Sequence, residues 1–145
     1  MSFNWEEYLK FAQQLVQEAQ GNSQNPLANE VAYRNAISRA YYSAFNKARE
    51  YLLTTTIYNP SRGDSHTHLI LAYSNSIFRE RKALAPKLSR MKDMRVRADY
   101  FGNFYDPTLS RVREPLPEIA KKTVAEARDV LTMIINFKPT TVRDI

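Results

Sequence analysis

Tyr33-Arg34-Asn35-Ala36-Ile37-Ser38-Arg39-Ala40-Tyr41-Tyr42-Ser43-Ala44-Phe45-Asn46-Lys47-Ala48 is the stretch that decides the fold. Tyr33, Ala36, Ile37, Ala40, Tyr41, Ala44, Phe45 and Ala48 recur at steps of three and four, the period of an α-helix with one buried face. Extending the stripe to Tyr51 and Leu52 gives a helix from about Asn29 to Leu53. The alanines on the stripe let a neighbouring helix come close, so this is the expected central helix of a bundle.

Working outward, a helix from about Asn4 to Ala19 places Trp5, Tyr8, Leu9, Ala12, Leu15 and Val16 on one side. It is broken by the polar Gly21 to Pro26 segment. Thr54 to Gly63 reads as a loop, after which Asp64 or Ser65 caps a third helix with Leu69, Ile70, Tyr73 and Ile77 inward. A fourth helix begins near Pro86, packs Leu88, Met91 and Met94 or Arg95, and ends near Gly102. Phe101 to Pro107 forms an aromatic loop. The last helix starts around Pro115 to Pro117, packs Ile119, Val124, Ala127, Val130, Leu131, Ile134 and Ile135, and ends before Pro139. The expected fold class is all-α: one up-and-down bundle of four to five helices over residues 1–137, with a short tail at 138–145.

The 145 residues suffice for one domain with a real core. With no cysteine, disulfides, thiolate zinc sites and cysteine nucleophiles are excluded. Three glycines leave no Gly-rich phosphate loop, and no cofactor is expected. The first residues do not read as a signal peptide, and no apolar run approaches the roughly 18 residues of a membrane span. A cytoplasmic protein is expected.

Charge is unevenly placed. Arg79 to Arg97 holds eight Lys/Arg against Glu80 and Asp93, a net +6 that equals the formal charge of the whole chain. Phosphate is the simplest partner for such a surface. An acidic protein partner and a merely solvated face are the other readings. Phe101, Phe104 and Tyr105 follow, suited to stacking on unpaired bases or to a dimer contact.

Arg34-Asn35-Ala36-Ile37-Ser38-Arg39-Ala40-Tyr41-Tyr42-Ser43-Ala44-Phe45-Asn46-Lys47-Ala48-Arg49 resembles a helix of the HEPN domains, small helical modules of prokaryotic defence and toxin–antitoxin systems. Ser65-His66 at the third helix, Arg95-x-x-Ala98-Asp99-Tyr100 closing the fourth, and Ala125 and Ala127 ahead of Phe137 follow in the family's order. The resemblance spans nearly the whole chain and implies a HEPN-like bundle that forms a homodimer. It implies an RNA-binding toxin or defence protein, many members being metal-independent endoribonucleases. The alternatives are a non-catalytic module binding a nucleotide or a nucleotidyltransferase antitoxin, or a dimerisation scaffold. The ribonuclease members carry an Arg followed by four to six residues and a His late in the bundle. Here Asp99-Tyr100 follow Arg95 and no histidine does, while the one literal match to that spacing is Arg62 to His68.

The candidate catalytic residues are therefore Arg95, Asp99, Tyr100 and His66, with Arg95 suited to a phosphorane's charge. Arg39, Arg90, Lys92 and Arg97 are the candidate phosphate binders. Arg39 has a second reading, an ion pair with Asp99 that fixes one helix on another. Arg95 and Asp99 are four apart and can meet on one helix face. The resemblance also makes Tyr100 a candidate acceptor of a nucleotidyl group. His66 and His68 face different ways with only Asp64 nearby, so no metal is expected and His68 is read as exposed.

Overall fold

The computed structural model describes residues 3–22, 24–55, 65–107 and 111–137. Among these the only regular secondary structure is α-helix: α1 Glu6–Gly21, α2 Pro26–Thr55, α3 Ser65–Ser74, the single turn α4 Arg79–Lys82, α5 Leu84–Tyr100 and α6 Leu116–Ile135. The 138–145 tail, the Asp64 cap, the Arg62–His68 spacing and most of the loop expected before α3 lie outside the described residues. No described helix is long and apolar enough to cross a membrane.

The α2 stripe is the core. Ala36, Ile37, Ala40, Tyr41, Ala44, Ala48 and Leu52 are fully buried, and α1, α5 and α6 all pack on this helix. Four alanines at i, i+4 spacing present almost no side chain, which allows axes to approach to roughly 8–10 Å. The second layer is closed by Leu9, Ala12 and Val16 from α1, Leu88 and Met91 from α5, and Ala127, Val130 and Leu131 from α6. Tyr73 of α3 donates its hydroxyl to the Ala48 carbonyl at 2.7 Å, joining α3 to the same hub.

Four expectations need correction. Thr54 and Thr55 do not open a loop but finish α2: their hydroxyls donate to the Glu50 and Tyr51 carbonyls at 2.9 and 2.5 Å, supplying partners to the helix's last turn. The expected fourth helix is present as α5, but the basic stretch also contains a separate helical turn that was not expected, α4, set off from α5 at Ala83. Ile77 and Ile135, read as inward-facing, are 79% and 64% exposed, since α3 stops at Ser74 and leaves Ile77 in the connection to α4, and Ile135 is the last residue of α6. Arg81 does not join a cationic surface. It is fully buried with its guanidinium 4.2 Å from the Phe78 ring and 5.7 Å from those of Tyr51 and Phe137.

Candidate functional site

Three helices meet where α2 presents Ser38, Tyr41 and Tyr42, α3 begins at Ser65-His66, and α5 ends in Arg95, Asp99 and Tyr100. On α2 the sequence positions 34, 38, 41 and 42 fall on one face by the i, i+4, i+7, i+8 rule. That face is turned toward the end of α5 by Arg34. Its Nη1 donates to the carbonyls of Arg97, Ala98 and Phe101 at 3.3, 3.4 and 2.5 Å, and its Nη2 to that of Gly102 at 3.1 Å. These carbonyls lie at and just beyond the C-terminus of α5, where a cation also opposes the helix dipole.

Arg95 is held by rings. It is only 6% exposed, and its guanidinium lies 5.4 Å from the centroids of both Tyr41 and Tyr42 and 5.7 Å from that of Tyr100. A ring face stabilises a cation without accepting its N–H groups in conventional hydrogen bonds. Among the described residues the one acid paired with it is Asp99, whose Oδ2 is 3.8 Å from Arg95 Nη1 and accepts from Ser38 Oγ at 3.2 Å. Arg95 Nε is buried with no hydrogen-bond partner. The cation is thus desolvated, weakly neutralised and short of acceptors, a state that an anion relieves.

His66 comes to the same tyrosines from the start of α3. Its Nδ1 is 2.7 Å from Tyr41 Oη in a hydrogen bond, and its ring stacks on Phe45 at 4.2 Å and on Tyr41 at 5.6 Å. Tyr42 meets it edge-on at 6.1 Å. Tyr41 therefore touches both the arginine and the histidine, which lie on different helices. His68 is half-buried rather than exposed. Among the described residues no three His, Asp or Glu side chains gather as a metal site would require.

Of the other sequence candidates, Arg39 makes no pair with Asp99. It turns about 100° away from Ser38 along the helix and lies over the Tyr8 ring of α1 at 5.4 Å. Arg97 is not a surface phosphate ligand. It is fully buried and donates from Nη1 to the carbonyls of Phe104 and Asp106 at 2.9 and 2.5 Å, because the 101–106 loop covers the side of α5 that the sequence leaves open. Arg90 reaches α6 and pairs with Glu126 at 2.6 Å, and Lys92 donates to Thr67 of α3 at 3.1 Å. The aromatic loop is split: Phe104 is buried at 2% exposure, while Tyr105 is 40% exposed.

Sequence reasoning missed Arg34 as the cap of α5 and Ser38 as the partner of Asp99. The available signal was their i, i+4 spacing on the face that also carries Tyr41 and Tyr42. It also missed the Tyr41–His66 bond, which no single-helix periodicity encodes. No protein-family model, curated protein or solved structure matches the chain.

Proposed function

We propose that this chain is a HEPN-type toxin or defence protein, cytoplasmic and homodimeric, that binds RNA at the α2–α3–α5 site and cleaves it through the strand's own 2′-hydroxyl without a metal. The observation that carries the reading is the convergence of His66 and Arg95 on Tyr41 and Tyr42. His66 supplies from α3 the imidazole that the sequence lacks after Arg95. Arg95 holds the scissile phosphate and stabilises the charge that grows on its oxygens. Tyr41 fixes the imidazole by its hydrogen bond at Nδ1, as the second partner of a working histidine commonly does. His66 takes the 2′-hydroxyl proton, the 2′-oxygen bonds to phosphorus, and the bond to the 5′-oxygen breaks. That oxygen leaves with a proton from the Tyr100 hydroxyl; solvent then returns a proton to Tyr100 and takes up the one held by His66. The products are a 2′,3′-cyclic phosphate and a 5′-hydroxyl end.

The test is incubation of end-labelled single-stranded RNAs with the protein, with and without EDTA. Cleavage that persists in EDTA, ends in cyclic phosphate and disappears in His66→Gln and Arg95→Ala is the expected result. Folding of each variant is checked by circular dichroism. RNA binding that depends on Arg95 with no cleavage of any RNA would remove the catalytic step and leave a binding module.

One observation favours a second reading of the same helix end. Tyr100 is 72% exposed, so its hydroxyl is open to a partner enzyme. As a nucleotidyl acceptor its oxygen would attack the α-phosphorus of a nucleoside triphosphate, pyrophosphate would leave, and the phenolic proton would pass to solvent. A mass gain of one nucleotidyl unit on incubation with a minimal nucleotidyltransferase and ATP, absent from Tyr100→Phe, distinguishes this reading.

A further inference from the structure

A cleft lies away from that site, between α5 and α6 and beneath the 111–114 segment, with a volume of about 580 Å³. This is within the roughly 300–1,000 Å³ of small-ligand sites. Its apolar surface comes from Met91, Met94, Val112 and Ile119. Methionine's unbranched, polarisable side chain adapts to flat rings. The covering segment is non-helical, and Val112 packs on the core between exposed Arg111 and Arg113. Both arginines line the cleft mouth.

The charges there are not equivalent. Arg90 is paired with Glu126, and Lys122 with Glu114. Among the described residues neither Arg111 nor Arg113 has an ion-pair partner. Two guanidiniums two residues apart offer forked donors to one phosphate group. Asp93 on the α5 wall supplies an acceptor for a hydroxyl or amine and opposes binding of a bare anion. An apolar surface, a pair of uncommitted arginines and one acceptor together select a ring carrying a phosphate. From these we infer that the α5–α6 cleft binds a nucleoside 5′-monophosphate, either free or as the 5′-phosphorylated end of an RNA. Arg111 and Arg113 hold its phosphate, and Met94 and Val112 lie against its base. The site is independent of the α2–α3–α5 cluster, since Arg90 and Arg95 lie about 140° apart around α5.

Nuclear magnetic resonance titration of the whole chain with AMP, GMP, CMP and UMP tests it. Adenosine and inorganic phosphate serve as controls. At least one mononucleotide binds with a Kd below about 1 mM, and both controls bind at least about tenfold more weakly. Arg111→Ala/Arg113→Ala, two exposed positions, weakens binding at least about tenfold, while Arg95→Ala leaves it unchanged. Equal binding of a 5′-phosphorylated tetranucleotide, lost when its 5′-phosphate is removed, assigns the site to an RNA end; binding of mononucleotides alone assigns it to the free ligand. No saturable shift at about 10 mM of any mononucleotide, binding equal in the double variant, or shifts confined to His66 and Arg95 would overturn the inference.

Discussion

Arg95 and Arg97 stand two residues apart on α5 and are both buried, at 6% and 0% exposure, yet they are held by different chemistry. Arg97 is clamped by carbonyl oxygens of the 101–106 loop, which accept its N–H groups directly. Arg95 is surrounded by three tyrosine rings and one carboxylate at 3.8 Å. Carbonyls take up donors of the Arg97 guanidinium, whereas rings hold the charge of Arg95. The first arrangement builds a loop onto a helix. The second buries a cation among aromatic faces where three helices meet. Burial alone would have ranked the two arginines alike.

The strongest attempt to break that contrast is Arg97→Ala. It leaves two loop carbonyls without their charged donor and opens a void, at an expected loss on the order of 3 kcal/mol in urea denaturation. An RNA affinity loss that exceeded this loss of stability would place Arg97 in the binding site and dissolve the distinction. Arg95→Ala should cost less stability, about 1–2 kcal/mol from the lost ring contacts, but at least about tenfold in RNA affinity at low salt. A variant that destabilised without touching RNA binding would make Arg95 a structural residue like its neighbour. Tyr41→Phe removes only the hydroxyl facing His66, so about 1 kcal/mol of stability is expected to go. Cleavage should fall more than binding, because the phosphate contact is kept while the imidazole loses its anchor. The smallest effect belongs to Arg90→Ala, whose partly exposed pair with Glu126 is worth about 0.2–1 kcal/mol. A larger loss of RNA binding there would move the interface to the α5–α6 side.

Much of the bundle was legible because helical period and side-chain size are local. The Tyr33-to-Leu52 stripe, the buried α6 face through Ile134 and the end of α5 beside Gly102 all follow from spacing within one element. What spacing cannot supply is the neighbour. Ile77 and Ile135 have the right residue type for a core and nothing to pack on. Arg97 appears solvent-facing on the wheel of α5 alone, and only the returning loop buries it. The site was half readable for the same reason. Arg95 with Asp99 is an i, i+4 pair within one helix, whereas Tyr41 with His66 joins residues on two. The basic stretch misled because charge was counted along the chain, where Arg81, Arg95 and Arg97 count like any exposed lysine.

Arg34 carries one more consequence. The same stretch of α2 that caps α5 through Arg34 also supplies Ser38, Tyr41 and Tyr42 to the site, so distance along one helix sets the site's alignment. A single-codon insertion between positions 34 and 41 would rotate everything beyond it by about 100°, pulling the cap and the tyrosines onto different faces. Any chain that keeps this site is therefore held to a fixed length in that interval. A deep insertion–deletion scan of the gene should show residues 34–42 as a silent gap between viable frames.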